Sequence, residues 1–368
     1  MMPRSINIEN SDFQRLDLHG LTQVLEASAP GRLDCCGSWD LKAFTLPFEW
    51  IEPVTVNIAI EVRTRVRISA YRPGWLSIVS SEGSISEPAD ALPFNGPLGL
   101  PAAIMSHFGL SGARLIIESD IPTRSGLGGS AALAVAVIGA IATAHRNIKG
   151  TCLIRKMALP QLASELESIV EGSVTGLQDQ AASVYGGVNQ WTWRFSRAAR
   201  PYTRYSLLPC PSYKELEKRI VVAFSGETRS SADVSVADIR GFHDNSTRAE
   251  WLDALRLIRA FGNAIHSRDW DEAILTLRRF ASIRDRIGPN LWPPISSKLR
   301  DCANALQCAT CTGGGNYGGC VWAFGPPEAI LELRHEWSRL EQVRLLNSRV
   351  ARHGLRVGTI VPRQNSNL

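Results

Sequence analysis

Residues 118–132 read ESDIPTRSGLGGSAA, and this stretch decides the fold. A short β-branched run, residues 114–119 (RLIIES), enters it as an expected strand. An apolar run, residues 131–144 (AALAVAVIGAIATA), leaves it as an expected buried helix. Between them Pro122 opens a polar turn, and Gly126, Gly128 and Gly129 precede Ser130 at the helix entry. Glycines let the backbone approach a ligand without interference from a Cβ. The unpaired N–H groups of the first helical turn, at the positive end of the helix dipole, favour an anion such as phosphate. A tight chain reversal would use the same glycines. No Gly-Lys-Ser/Thr follows, so this is not a Walker A loop. The spacing to a third glycine required of a dinucleotide fingerprint is also missing.

Outward from the loop, residues 54–60 (VTVNIAI) and 62–71 (VRTRVRISAY) are expected strands. The second alternates Val62, Thr64, Val66 and Ile68 with Arg63, Arg65, Arg67 and Ser69, the period of a half-buried strand with its arginines toward solvent. Leu162, Leu166, Ile169 and Val170 place a helix over residues 159–171. Residues 194–204 (RFSRAARPYTR) carry four arginines and a proline with little periodicity. The expected domain boundary lies there, dividing the chain into 1–193 and 194–368. Residues 220–224 (IVVAF) restart as a buried strand, helical patterns follow over 246–266 and 270–286, and a second glycine-rich turn spans 312–319. Residues 363–368 read as a frayed tail.

The composition fits this picture of about two domains. The chain has 368 residues, 44% hydrophobic and 20% charged, with a net charge of +5. Disorder and fibrous repeats are excluded by the apolar fraction and the clustering of glycines. The small positive balance does not call for nucleic acid. No export signal or membrane span is expected, so the reading is cytoplasmic, with oligomeric state open. The 8 cysteines are dispersed and expected to be reduced thiols. Cys308 and Cys311 form a lone CxxC without a second half for zinc.

Three ordered segments carry a resemblance. Residues 122–132 (PTRSGLGGSAA) resemble the P-x-x-x-G-L-G-S-S-A-A phosphate loop of the GHMP kinases, the superfamily of galactokinase, homoserine kinase, mevalonate kinase and phosphomevalonate kinase. Residues 29–40 (APGRLDCCGSWD) resemble its substrate-binding first motif, and residues 312–320 (TGGGNYGGC) its third motif beside the nucleotide phosphates. Gly176-Leu-Gln-Asp-Gln180 with Tyr185-Gly-Gly187 is similar to a segment of the heptose 7-phosphate kinase and fucokinase branches. Residues 224–231 (FSGETRSS) are similar to the T-G-x-T-R-S segment of the heptose kinases. The implied fold is α+β with two domains: a ribosomal protein S5 domain 2-like N-terminal domain and a ferredoxin-like C-terminal domain, with the active site between them. The implied activity is ATP-dependent phosphorylation of a hydroxyl of a sugar or sugar phosphate, with the anomeric hydroxyl a candidate. The alternatives are a non-sugar alcohol acceptor, or a kinase fold kept as a non-catalytic sugar and nucleotide sensor.

The resemblance also distributes roles. ATP phosphates would rest on Pro122, Ser125, Gly126, Leu127, Gly128, Gly129, Ser130 and Ala131, with Thr312, Gly313, Gly314 and Gly315 of the third motif packed beside them. Ser130 and Glu167 would hold magnesium through hard oxygens; Glu165 and Glu171 on the same helix compete with Glu167. Asp179 would orient the acceptor hydroxyl and take its proton, or stabilise it electrostatically. Arg32 would offset charge on the transferred oxygens. Asp34, Gly37, Ser38, Asp40 and Gln178, with Arg32 and Asp179, would bind the acceptor, and Trp39 would stack on a sugar face. Three departures stand out: Gly129 replaces the first serine of the usual pair, Asp40 falls one position early relative to the heptose-kinase form, and the third motif is one residue longer.

Overall fold

The computed structural model describes residues 16–35, 37–172, 174–227, 231–288, 292–313 and 319–360. Cys36, Thr228–Ser230, Gly314, Gly315 and the 363–368 tail therefore lie outside the described residues. Along the chain the strands are β1 (Leu16–Asp17), β2 (Val24–Asp34), β3 (Val54–Ala70), β4 (Trp75–Ser80), β5 (Gly83–Pro88), β6 (Leu110–Ser111), β7 (Ala113–Ser119), β8 (Val188–Trp193), β9 (Tyr202–Ser206), β10 (Ile220–Phe224), β11 (Ala309–Thr312), β12 (Cys320–Phe324), β13 (Arg344–Leu345) and β14 (Arg356–Ile360). The helices are α1 (Lys42–Phe48), α2 (Gly99–His107), α3 (Gly129–Lys149), α4 (Leu159–Glu171), α5 (Gln178–Tyr185), α6 (Tyr213–Glu217), α7 (Ser231–His243), α8 (Arg248–Ser267), α9 (Trp270–Ile287), α10 (Pro294–Ala305) and α11 (Pro327–Ser338).

The large sheet runs β14-β2-β3-β7-β4-β5, with β8 also on β3 and β9 on β8. The two strands expected over 54–60 and 62–71 are one continuous strand, β3, long enough to pair with β2 and β7 at one end and with β2 and β8 at the other. Its arginines depart from the solvent-facing expectation in one place. Arg63 is 3% exposed and donates to the carbonyls of Ser28, His353 and Gly354, tying the chain end before β14 onto the sheet. Arg65 and Arg67 pair with Asp120, Glu26 and Glu118. β9, which lies beyond residue 193, pairs with β8, and β14 returns to the edge of β2. Segments from both sides of the expected 193/194 boundary thus share this sheet.

α3 is apolar nearly all round because it is buried, the condition under which a helix needs no polar face. By length and composition it could cross a bilayer, yet it packs on β2, β3 and α4 with Ala132, Val135, Ile138 and Ile141 in the core. Gly150 in the left-handed region ends it, its N–H returning to the Arg146 carbonyl. A second, four-stranded antiparallel sheet, β11-β12-β10-β13, carries α10 and α11. α8 and α9 pack on one another and bridge the sheets, α8 against β3 and α9 against β11.

Candidate active site

The candidate phosphate loop is the turn between β7 and α3. Gly126 and Gly128 have φ of 76° and 73°, and no side chain caps the start of α3. Its first N–H groups therefore face the cleft without a side-chain acceptor, the arrangement that binds anions. Leu127 is fully buried and anchors the loop; its carbonyl accepts from the Arg32 N–H at 2.9 Å. β2 is irregular between Pro30 and Gly31, just before Arg32, a place where such an irregularity re-aims a side chain.

Arg32 is the hub of the site. Its Nε and Nη2 donate to the two oxygens of Asp179, each at 2.7 Å. Its Nη1 donates to the carbonyls of Gly126 and of Gly313, the latter at 2.8 Å. One planar guanidinium thus joins the glycine-rich loop, Asp179 in the first turn of α5 and Gly313 just after β11, a geometry that lysine cannot reproduce. Burial opposes its charge, but Asp179, with Asp34 and Asp40, raises its pKa above the usual arginine value. The third motif is stitched to the loop from the other side: Gly319 and Cys320 donate to the carbonyls of Arg124 and Ser125, and Gly313 to that of Cys320.

Glu167 occupies the inward face of α4 with Ala163, Ser164 and Leu166, and is 5% exposed. Ser130 donates to its Oε1, and Gln180 donates to its Oε2 at 2.6 Å. Burial pushes its pKa up to about 8, with Glu171 and Asp179 adding repulsion. Of the competing carboxylates, Glu165 is exposed and bonds Gln161, while Glu171 is exposed at the rim. Ser130 and Glu167 together offer two hard oxygens at the head of the phosphate loop, a donor pair suited to magnesium held jointly with substrate phosphates.

A cleft of about 680 Å³ joins these parts. It is lined by Arg32, Asp34, Gly37, Ser38 and Asp40 of the first motif, by Pro122, Ser125, Gly126, Gly128, Gly129 and Ser130 of the loop, and by Glu167, Gln178 and Asp179. Leu127 and Ala131 lie behind that surface as buried support. Thr312 sits in β11, where its carbonyl accepts from Trp322. Trp39 is not a stacking platform. It is fully buried and packs edge-on against Phe44 and Phe242 at centroid distances of 5.9 and 5.7 Å. The first motif uses it to pin α1 and α7, and its indole turns away from the cleft because that aromatic cluster can bury it completely. Asp40 is likewise occupied, accepting from the N–H groups of Leu177 and Gln178.

Sequence reasoning missed Gln180 as the residue that orients Glu167, although the Gln178-Asp179-Gln180 segment contains it. It also missed the apolar wall formed by Leu98, Leu100, Ile117, Leu133 and Val170. Those residues come from separate elements and leave no local pattern. Among the described residues no cluster of three or more His, Cys, Asp or Glu side chains forms a metal cage.

Comparison with known proteins agrees with this geometry. Residues 99–187 match the GHMP kinases N terminal domain. The chain is 28% identical over 238 residues to a mevalonate kinase of Archaeoglobus fulgidus, covering 63% of this chain and 74% of that one. It is 37% identical over 116 residues to a D-glycero-alpha-D-manno-heptose 7-phosphate kinase of Campylobacter jejuni, covering 32% of each. The fold superposes on a D-glycero-D-manno-heptose 1-phosphate kinase from Bacteroides thetaiotaomicron with a TM-score of 0.70 at 16% identity, covering 92% of this chain and 99% of that one. With its glycine-rich loop inside the matched segment, the chain carries a GHMP kinase N-terminal domain and shares the α+β fold of kinases of known structure.

Proposed function

We propose that the protein transfers the γ-phosphoryl group of ATP to a hydroxyl of a sugar or sugar phosphate, a heptose 7-phosphate-like or fucose-like acceptor with the anomeric hydroxyl as its target. The observation that carries this reading is the Arg32–Asp179 pair, set beside the phosphate loop and facing the cleft. Phosphoryl transfer asks a protein mainly for positioning and charge neutralisation. The N–H groups that open α3 would receive the nucleotide phosphates. Asp179, with its side chain 28% exposed, would hold the acceptor hydroxyl and accept its proton or steady its dipole. Arg32 would counter charge on the transferred oxygens. Ser130 and Glu167 fit magnesium, which when bound neutralises charge on the β- and γ-phosphates. Asp34 and Ser38, polar side chains of the first motif that line the cleft, would meet the acceptor.

The sugar acceptor is supported by Gln178-Asp179-Gln180 and by the local identity to the heptose 7-phosphate kinase. A mevalonate acceptor is the second reading, favoured by similarity to mevalonate kinases over a larger share of the chain. Purified protein should be incubated with ATP, Mg2+ and a panel of hexoses, heptoses, their phosphates and mevalonate, with products read by mass spectrometry. A phosphorylated sugar is the expected product. Phosphomevalonate alone would establish the second reading. ATP binding without any product would leave the fold a nucleotide sensor.

A further inference from the structure

Asp40 closes the first motif, the segment whose resemblance assigns it to acceptor hydroxyls, but its carboxylate is already engaged by three donors of the protein. Oδ2 accepts from the N–H of Leu177 at 2.8 Å and of Gln178 at 3.0 Å, and Oδ1 accepts from Gln178 Nε2 at 3.1 Å. The same amide nitrogen donates to the Gly37 carbonyl at 3.1 Å, which fixes its orientation. Gly176 is required by this packing: a Cβ there would come within 1.8 Å of Oδ2. Asp40 is 4% exposed. The first N–H groups of a helix have no intrahelical partner and usually bond a side chain at the N-cap. Leu177 occupies that position in α5 and has no acceptor to offer, so Asp40 supplies one from 137 residues away. Asp179 is the second residue of the helix.

We propose that Asp40 is a positioning residue for phosphoryl transfer: it locks the first turn of α5, and through it the carboxylate of Asp179, and does not bind the acceptor. This rests on the kinase reading above. Three donors converge on Asp40, the environment of an ionised carboxylate. Burial, with repulsion from Asp179 on α5 and Asp34 on β2, nevertheless pushes its pKa up to about 7, opposed by the Gln178 backbone N–H; Arg32 on β2 is the neighbouring cation. Opening the first turn returns Asp40 to water and to an ordinary carboxylate pKa, so ionisation favours opening.

The test combines steady-state kinetics with hydrogen–deuterium exchange of the peptide spanning α5, in wild type, Asp40→Asn and Asp40→Ala. The variants should lose about 100-fold in kcat, as expected for a misplaced catalytic group, with acceptor KM within about twofold. Exchange at the start of α5 should be about tenfold faster in both variants, and faster in wild type at about pH 8 than at about pH 6 after correction for intrinsic rates. An acceptor KM raised tenfold or more with kcat retained overturns the proposal, as does unchanged exchange at the Leu177 and Gln178 amides. Exchange needs no acceptor and, in wild type, no variant that might misfold. A wild-type protein that transfers no phosphoryl group contradicts the kinase reading and leaves the exchange result to decide the role of Asp40.

Discussion

Arg32 and Asp179, 147 positions apart in sequence, form a two-pronged ion pair in which Nε and Nη2 each lie 2.7 Å from a carboxylate oxygen. The remaining Nη1 holds the carbonyls of Gly126 and Gly313. A lysine keeps the charge but can satisfy only part of this set. Arg32→Lys should therefore lower kcat by about 100-fold or more while raising the KM for ATP much less, as measured by a coupled ADP assay across both substrates. Equal kcat in the variant would show that the fork geometry is dispensable.

Gly128 has φ of 73°, and a Cβ on it would sit 3.3 Å from Asp179 Oδ2. A non-glycine residue pays roughly 1–2 kcal/mol in that backbone region. Gly128→Ala should show that loss in urea unfolding and, because the new methyl presses on Asp179, a disproportionate fall in kcat. A variant with wild-type rate and stability would place the loop in a different conformation.

Glu167 receives hydrogen bonds from Ser130 and Gln180. If it helps hold magnesium, Glu167→Gln should raise the Mg2+ concentration for half-maximal rate by at least about tenfold. Gln180→Leu should produce a smaller shift of the same sign through loss of orientation. Titration of activity with Mg2+ at saturating ATP measures both. An unaltered Mg2+ dependence in Glu167→Gln would assign the metal contact elsewhere.

Asp40 is also a stability group. Its pKa is raised from 3.8 to about 7 in the folded protein, so between those values the native state keeps a proton that the unfolded chain has released. Stability contributed by this group is present at low pH and is lost as pH rises from about 4 to about 7, by at most roughly 4 kcal/mol. Glu167, raised to about 8, acts in the same direction. Urea unfolding as a function of pH should give a shallower decline for Asp40→Asn than for wild type. Parallel curves would mean that Asp40 does not titrate in that window.

Much of this architecture was readable from residue pattern. The boundaries expected for the helix at 159–171 and the strand at 220–224 coincide with α4 and β10, because each has a clear apolar period or run and a clear breaker at its ends. The glycine turn expected at 126–129 lies between β7 and α3. Legibility ended where a side chain's surroundings come from distant segments. Trp39 and Asp40 share one motif and both looked suited to a sugar, yet Trp39 is taken up by Phe44 and Phe242 and Asp40 by the start of α5. Arg63 stood on the polar phase of β3, and only the returning chain end near Gly354, which its guanidinium bonds, buries it. Periodicity reports which face a residue occupies, while its partner depends on tertiary contacts that periodicity does not encode.

The central claim is that Asp179, held by Arg32, serves phosphoryl transfer from ATP to a sugar hydroxyl. Its most direct test is single-turnover product formation by wild type and Asp179→Asn, followed by mass spectrometry with the best acceptor from the panel. The expected result is a phosphorylated sugar from wild type and a loss of about 1,000-fold in the variant, with ATP affinity within about twofold. Product formation at the wild-type rate in Asp179→Asn, or no phosphorylated sugar from wild type, would contradict it.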